Sequence, residues 1–269
     1  MPSFPSSPEA LAALIASHLP LLHAAVLASA LLLVTALQFV NGRLHANGAC
    51  SRRRVAQIGI MVMLYGAAGF TALALAVNGG SALVDFDDAL VGALASSLDA
   101  HTLHLFARLT RFGDTETLTA LGVTGAVLLL WRRQHLLAAT WVAAIAGNSL
   151  LNVSLKAVFQ RVRPVHEHGY AAETSWSFPS GHASGTLVAY GVLAWVALRL
   201  LPARWHLPVL WVAVSIALTT GFSRIVLQVH FASDVLAGLC SGSAWLALCI
   251  TVAEWIRRRA PQQPDGKLS

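Results

Sequence analysis

Three short polar clusters stand at the edges of apolar runs in the second half of the chain. They are Lys156 with Arg163-Pro164, then Pro179-Ser180-Gly181-His182, then Ser223-Arg224 with His230 and Asp234. Together they supply three fixed cations, two histidines and a carboxylate. Such a set can grip a phosphate and attack its phosphorus: the cations neutralise charge that develops on the phosphoryl oxygens, one imidazole attacks, and the other moves protons.

Spacing gives each cluster a geometry and leaves it an ordinary alternative. Asn148, Asn152 and Lys156 recur every four residues, which puts a polar stripe on one helix face. Arg163 lies two turns beyond Lys156 if the helix continues, and Pro164 disfavours helical geometry at Arg163, so the element is predicted to end there. Basic side chains at Lys156, Arg161 and Arg163 that merely snorkel to lipid headgroups would give the same pattern. Ser180 suits an N-cap, and Gly181 lets the backbone approach a ligand at a helix start whose free N–H groups carry partial positive charge. His182 would stand at the rim of that cradle, although a plainly capped helix with an interfacial histidine reads alike. Asp234 follows His230 by four residues, so on a helix it can accept the imidazole Nδ1–H and leave Nε2 for attack. A buried His–Asp hydrogen bond with a packing role has the same signature.

The elements that position these groups are membrane-spanning. Of 269 residues, 56% are hydrophobic and 11% charged, and the mean hydropathy is +0.65, too apolar for a soluble domain. A crossing helix needs about 20 apolar residues, and seven segments qualify: 19–41, 55–77, 115–131, 136–155, 183–201, 207–226 and 231–253, the third being short. The expected fold is all-α, a polytopic transmembrane bundle of six core helices plus one extra N-terminal helix. The net charge of +6 does not point to nucleic acid, because the arginines form no basic face interleaved with aromatics. Arg52-Arg53-Arg54, Arg132-Arg133, Arg199 with Arg204, and Arg257-Arg258-Arg259 fall in alternate connections, which the positive-inside rule places in the cytoplasm. The loops near 78–114, 156–182 and 227–230 then share the outer side, and with them all three polar clusters.

No Lys or Arg precedes the first apolar run, and Arg43 follows it, so it reads as a retained helix rather than a signal peptide. Pro8 to His18 reads as a surface helix, with a kink at Pro20. Cys50, Cys240 and Cys249 imply neither a disulfide framework nor a zinc site. His166, Glu167 and His168 carry a His-x-His pattern without an evident third ligand and read as a solvated loop. Asp85, Asp87 and Asp88 likewise read as a solvated loop face. Arg108, Arg111 and Asp114 precede the third segment, where they could meet a substrate headgroup or snorkel. Trp176 and Phe178 read as interfacial anchors.

The pattern Lys-x6-Arg-Pro, Pro-Ser-Gly-His, Ser-Arg-x5-His-x3-Asp resembles the three-part signature of the type 2 phosphatidic acid phosphatase superfamily, which includes vanadium haloperoxidases and bacterial class A acid phosphatases. Every signature position is matched between residues 156 and 234. The expected domain bounds are 1–54 for an N-terminal transmembrane helix and cytoplasmic loop, an addition to the usual six-helix membrane members, and 257–269 for a cytoplasmic tail, with the resemblance covering the phosphatase-like membrane domain at 55–256. The resemblance also implies roles. His230 would be the nucleophile and form a phosphohistidine, Asp234 would orient it, and His182 would protonate the leaving oxygen and later activate water. Lys156, Arg163, Arg224, Ser180 and the Gly181 N–H would hold the phosphoryl oxygens, with no metal or other cofactor. The implied partner is a lipid phosphate or pyrophosphate in the bilayer, such as undecaprenyl pyrophosphate, phosphatidylglycerophosphate or phosphatidate. The expected setting is a bacterial inner membrane with the site facing the periplasm. The same phosphohistidine could pass its phosphoryl group to a lipid hydroxyl instead of water, and a transporter or lipid scaffold is the non-enzymatic alternative.

Overall fold

A computed structural model of the chain describes residues 7–46, 52–166, 168–170 and 174–259, with side chains outside 41–46 and 52–55. Cys50, Glu167 and the tail beyond Arg259 lie outside the described residues. Every regular element among those residues is helical: α1 (Pro8–Ser17), α2 (Leu19–Ala46), α3 (Arg52–Asn78), α4 (Ala82–Ser97), α5 (Ala100–Leu109), α6 (Thr115–Trp131), α7 (His135–Phe159), α8 (Gly181–Leu200), α9 (His206–Val226) and α10 (Ala232–Arg259), with 3₁₀ turns at Thr110–Gly113 and Ala203–Trp205.

Among the described residues six helices, α2, α3 and α7 to α10, are long and apolar enough to cross a membrane. The 17 residues of α6 reach about 25 Å at 1.5 Å per residue, a little short of the hydrocarbon core. The chain is an integral membrane protein with the expected all-α bundle. Half of the α8 span is buried in protein, against 6% of the α2 span, so α8 is the hub and α2 is mostly turned to lipid. Around α8 pack α7, α9 and α10, while α3 lies along α10 and α2 along α9. His23 of α2 stacks on Phe222 of α9, and Trp211 Nε1 donates to Thr35 Oγ1 at 3.1 Å.

The stretch 78–114, expected as loop, is largely helical. Ser81 caps α4 by accepting from Leu83 N, and Asp99 caps α5 by accepting from Thr102 N, meeting the unpaired donors of each first turn. Leu90, Leu94 and Leu103 bury themselves against Ala12 and Ala16 of α1 and against Val226, Leu227 and Val229. This satellite core brings α4, α5 and the surface helix α1 over the α9–α10 turn. The proline at position 20 stands in the first turn of α2, where its missing N–H costs nothing, and the chain breaks before it at His18.

Helix direction sorts the charges. The end of α7, the starts of α8 and α10 and the end of α9 meet at one end of the bundle and carry Lys156, His182, Asp234 and Arg224. At the opposite end, Arg199 of α8 pairs with Glu254 of α10, which also takes Arg257 Nη2 at 2.9 Å.

Candidate active site

Lys156 occupies the last turn of α7 and is 9% exposed. Its ammonium donates to the Trp176 carbonyl and to Ser175 Oγ. The helix does not run on to Arg163: it stops at Phe159, where Gln160 takes a left-handed backbone conformation, φ 45°, and donates its N–H to the Lys156 carbonyl. The chain then runs beside residues 175–177, with Ser177 N donating to Arg161 O at 2.8 Å. Arg163 therefore reaches the site from a non-helical segment. Its guanidinium donates to Ser175 O and Val229 O, both at 2.6 Å, and to His230 Nε2 at 3.0 Å.

Ser180 is the N-cap of α8, its Oγ accepting from Ala183 N at 3.4 Å and its own N–H donating to Asp234 O at 3.0 Å. A Cβ on Gly238 would stand 2.5 Å from Ser180 O, so only glycine lets α10 approach this turn so closely. Ser180 is fully buried, and its hydroxyl serves the helix start. Gly181 and His182 line the pocket. His182 Nε2 meets Asp114 Oδ1 at 3.0 Å; the carboxylate is the N-cap residue of α6. The preceding Gly113 packs on the imidazole, since a Cβ there would come 2.9 Å from His182 Cδ2. The hydrogen bond from His182 holds the Asp114 carboxyl below its usual range, against the opposing effect of partial burial. An ionised Asp114 accepts from His182 Nε2 and so places a proton on that nitrogen.

His230 sits in the tight turn between α9 and α10 and is 2% exposed. An arginine can only donate, so its contact from Arg163 makes Nε2 the acceptor and puts the ring proton on Nδ1. That proton faces Asp234 Oδ2 at 3.5 Å and Ser177 Oγ at 3.3 Å, and Ser177 in turn donates to Asp234 Oδ2 at 2.5 Å. The carboxylate thus orients the imidazole mainly through a serine that the sequence did not single out. Burial, then the neighbouring Arg163 and Arg224, lower the His230 pKa to about 3 against the raising effect of Asp234. The imidazole is neutral at physiological pH, as a nucleophile must be.

Behind it lies a network that sequence reasoning missed. Arg161 Nη1 donates to Asp234 Oδ1 at 2.7 Å and Nη2 to Asp87 Oδ2 at 2.9 Å. Ser233 N donates to Asp87 Oδ1 at 3.1 Å, and Ser233 Oγ donates to Asp87 Oδ2. Arg161 does not snorkel, and Asp87 is not solvated. It is fully buried in α4, and burial raises its pKa against the hydrogen bonds from Ser233 and Arg161. Only Asp85 and Asp88 are exposed, on a helix rather than a loop. Asp87 is in register with Leu90 and Leu94 at i, i+3 and i+7, the buried stripe of α4, and that spacing was the available signal.

Lys156, Arg163, Gly181, His182 and His230 converge on a cavity of about 310 Å³ whose wall also includes apolar Leu118, Ile145, Val153 and Val188. Asp234 and Ser180 stand behind this lining. Arg224 is 2% exposed, donates to Thr110 Oγ1 at 2.9 Å, and lines an adjoining cavity together with Asp114. His166 and His168 are docked rather than solvated: their rings stack, His168 Nε2 donates to Leu227 O at 2.8 Å, and its Nδ1 accepts from Tyr170 N. Phe178, expected at the interface, is fully buried against Phe70 and Phe159; Trp176 is partly exposed.

Fold and site together define a polytopic helical membrane protein with a pocket of fixed cations around a buried, neutral imidazole. The model of the PAP2 superfamily matches residues 137–258. Phosphatidylglycerophosphatase B of Bacillus subtilis is 33% identical over 148 residues, which cover 51% of this chain and 67% of that protein. Lipid A 1-phosphatase of Rhizobium johnstonii is 33% identical over 188 residues, covering 61% and 72%. The crystal structure of a transmembrane PAP2 type phosphatidylglycerolphosphate phosphatase from Bacillus subtilis superposes with a TM-score of 0.66 at 28% identity, over 75% of this chain and 98% of that one. The chain belongs to the PAP2 superfamily, and it is a phosphatase.

Proposed function

We propose that the protein hydrolyses a lipid phosphomonoester or pyrophosphate through a phosphohistidine on His230, at the outer face of a bacterial inner membrane. The observation that carries this reading is the environment of His230, whose Nε2 accepts from Arg163 while Nδ1–H faces Asp234 and Ser177. The lone pair of Nε2 is thereby directed at the place where Arg163 would hold a phosphoryl group. In the first step Nε2 bonds to phosphorus and the P–O bond to the lipid breaks, with His182 giving its proton to the departing oxygen. In the second, water attacks the same phosphorus, His182 takes a water proton, and the P–N bond breaks to release phosphate. Asp114 supports both steps by holding the His182 ring. Lys156, Arg163, Arg224 and the Gly181 N–H balance charge on the equatorial oxygens, the task a metal ion performs in many phosphoryl transfers.

The apolar wall of the pocket suits a substrate whose tails stay in the bilayer. The relatives act on lipids by name, a phosphatidylglycerophosphate and lipid A, which supports a lipid phosphate as substrate here. Phosphate release should be measured with purified protein and a panel of lipid phosphates, with chelator present. Release by the wild type and its loss in His230→Ala and His182→Ala is the expected result. Full release by His230→Ala overturns the nucleophile, and loss of wild-type release with chelator overturns the metal-free reading. A topology reporter fused after Arg133 should read cytoplasmic; a periplasmic signal overturns the orientation.

A further inference from the structure

Beyond the reaction pocket a larger cavity opens, of about 1030 Å³, bounded by Arg108, Arg111, His104, Tyr170 and, toward the reaction centre, Asp114 and Arg224. A transferred phosphoryl group needs only a small part of such a volume, which is at the upper end of what ligand sites enclose. Its charge is one-sided. Among the described residues three arginines and one carboxylate, Asp114, line it, and that carboxylate is already engaged by His182. Arg108 ends α5 and Arg111 follows in the 3₁₀ turn, so the two stand three residues apart as neighbours on one face. Across from them Tyr170 is held in place: its N–H donates to His168 Nδ1, its ring packs on those of His104 and His168, and His168 itself is tied to Leu227 O. Asp114 lines the larger cavity and its partner His182 the smaller one. A headgroup lying in the larger cavity would therefore stand beside the reaction centre.

We propose that this vestibule is a second anion-binding site, in which Arg108 and Arg111 bind a phosphate or similar anion carried elsewhere on the substrate headgroup. The inference rests on the phosphatase reading and names its substrate class: lipids whose headgroup is bulky and bears at least one anion besides the group removed. Arginine suits the task because its planar fork binds phosphate oxygens in pairs. Lipids with a small, singly phosphorylated headgroup would leave the vestibule to water and gain nothing from it.

The test uses the full chain in detergent micelles, in the His230→Ala background so that binding is read without turnover. The ligands are a synthetic disaccharide lipid bearing two phosphates and its counterpart bearing one. The two-phosphate lipid is expected to bind more tightly. That preference should fall at least tenfold, about 1.4 kcal/mol, in Arg108→Gln/Arg111→Gln, and most of it should return in Arg108→Lys/Arg111→Lys. The two single glutamine variants, each losing part of the preference, carry the test if the double variant does not fold. An absent preference, or one unchanged by the glutamine substitutions, overturns the proposal. Because the readout is a ratio of affinities, it stands apart from the phosphatase reading, which would fail instead by an absence of phosphate release from the wild-type protein.

Discussion

Both ends of the bundle hold an arginine against a buried carboxylate, yet the two arrangements differ in what they accomplish. At the site end one guanidinium, Arg161, serves two fully buried carboxylates, Asp87 and Asp234, and hydroxyl and backbone donors complete their coordination. At the opposite end two arginines share one carboxylate, Glu254, and Arg257 remains 62% exposed. The first cluster has surplus negative charge on two carboxylates closed off from water, so each donor fixes the position of the next group up to His230. The second has surplus positive charge that reaches the surface, and it fastens α8 to α10 without touching any reacting group. Equivalent chemistry therefore orients the His230 imidazole at one end and closes a helix pair at the other.

Arg161→Ala should have the largest consequence, because it strands two carboxylates in the interior at about 3–5 kcal/mol. Thermal stability and phosphate release should both collapse, and Arg161→Lys should recover part of the stability while kcat stays low. Recovery of full kcat by the lysine variant would show that Arg161 does not position Asp234. Asp114→Asn removes the carboxylate that holds the His182 ring. It is expected to cut kcat for phosphate release about 10²-fold, with KM little changed. Glu254→Gln should lower stability by about 1–3 kcal/mol and leave kcat of the folded protein unchanged; a loss of kcat equal to that of Arg161→Ala would erase the distinction between the ends.

The remaining prediction concerns acid. The folded-state pKa of His230, about 3, is below the ordinary histidine value, so between pH 6.5 and 3 the unfolded chain binds a proton that the native state refuses. Stability is then lost as pH falls through that window, by about 1.4 kcal/mol per pH unit at most. Melting temperatures of wild type and His230→Asn, compared from pH 7 to 5, should diverge in that direction, with the wild type falling more steeply.

The legibility of this site in the sequence follows the length scale of each interaction. Lys156 in the stripe with Asn148 and Asn152, the Ser180 cap, and Asp234 four residues after His230 are local relations, and helix periodicity was enough to place them. Asp87 with Arg161, and Asp114 with His182, join residues 74 and 68 positions apart, and no spacing rule connects them. They also lie in a stretch whose charged residues hid a buried stripe: Asp85 and Asp88 face outward, while Asp87 falls in line with Leu90 and Leu94. Arg163 was placed by extending α7 too far, since the left-handed backbone at Gln160 is not encoded by any glycine. The crossing helices were readable because hydrocarbon demands long apolar runs; the short helices α4 and α5 were not, because they bury only one stripe against their neighbours.

The most direct measurement is rapid-quench trapping of the phosphorylated enzyme during turnover of a labelled lipid phosphate, at alkaline pH to preserve a P–N bond, followed by peptide mapping. Label on His230 of the wild type, absent from His230→Ala, is the expected result. Phosphate release at the wild-type rate by His230→Ala, or label on any other residue, would contradict it.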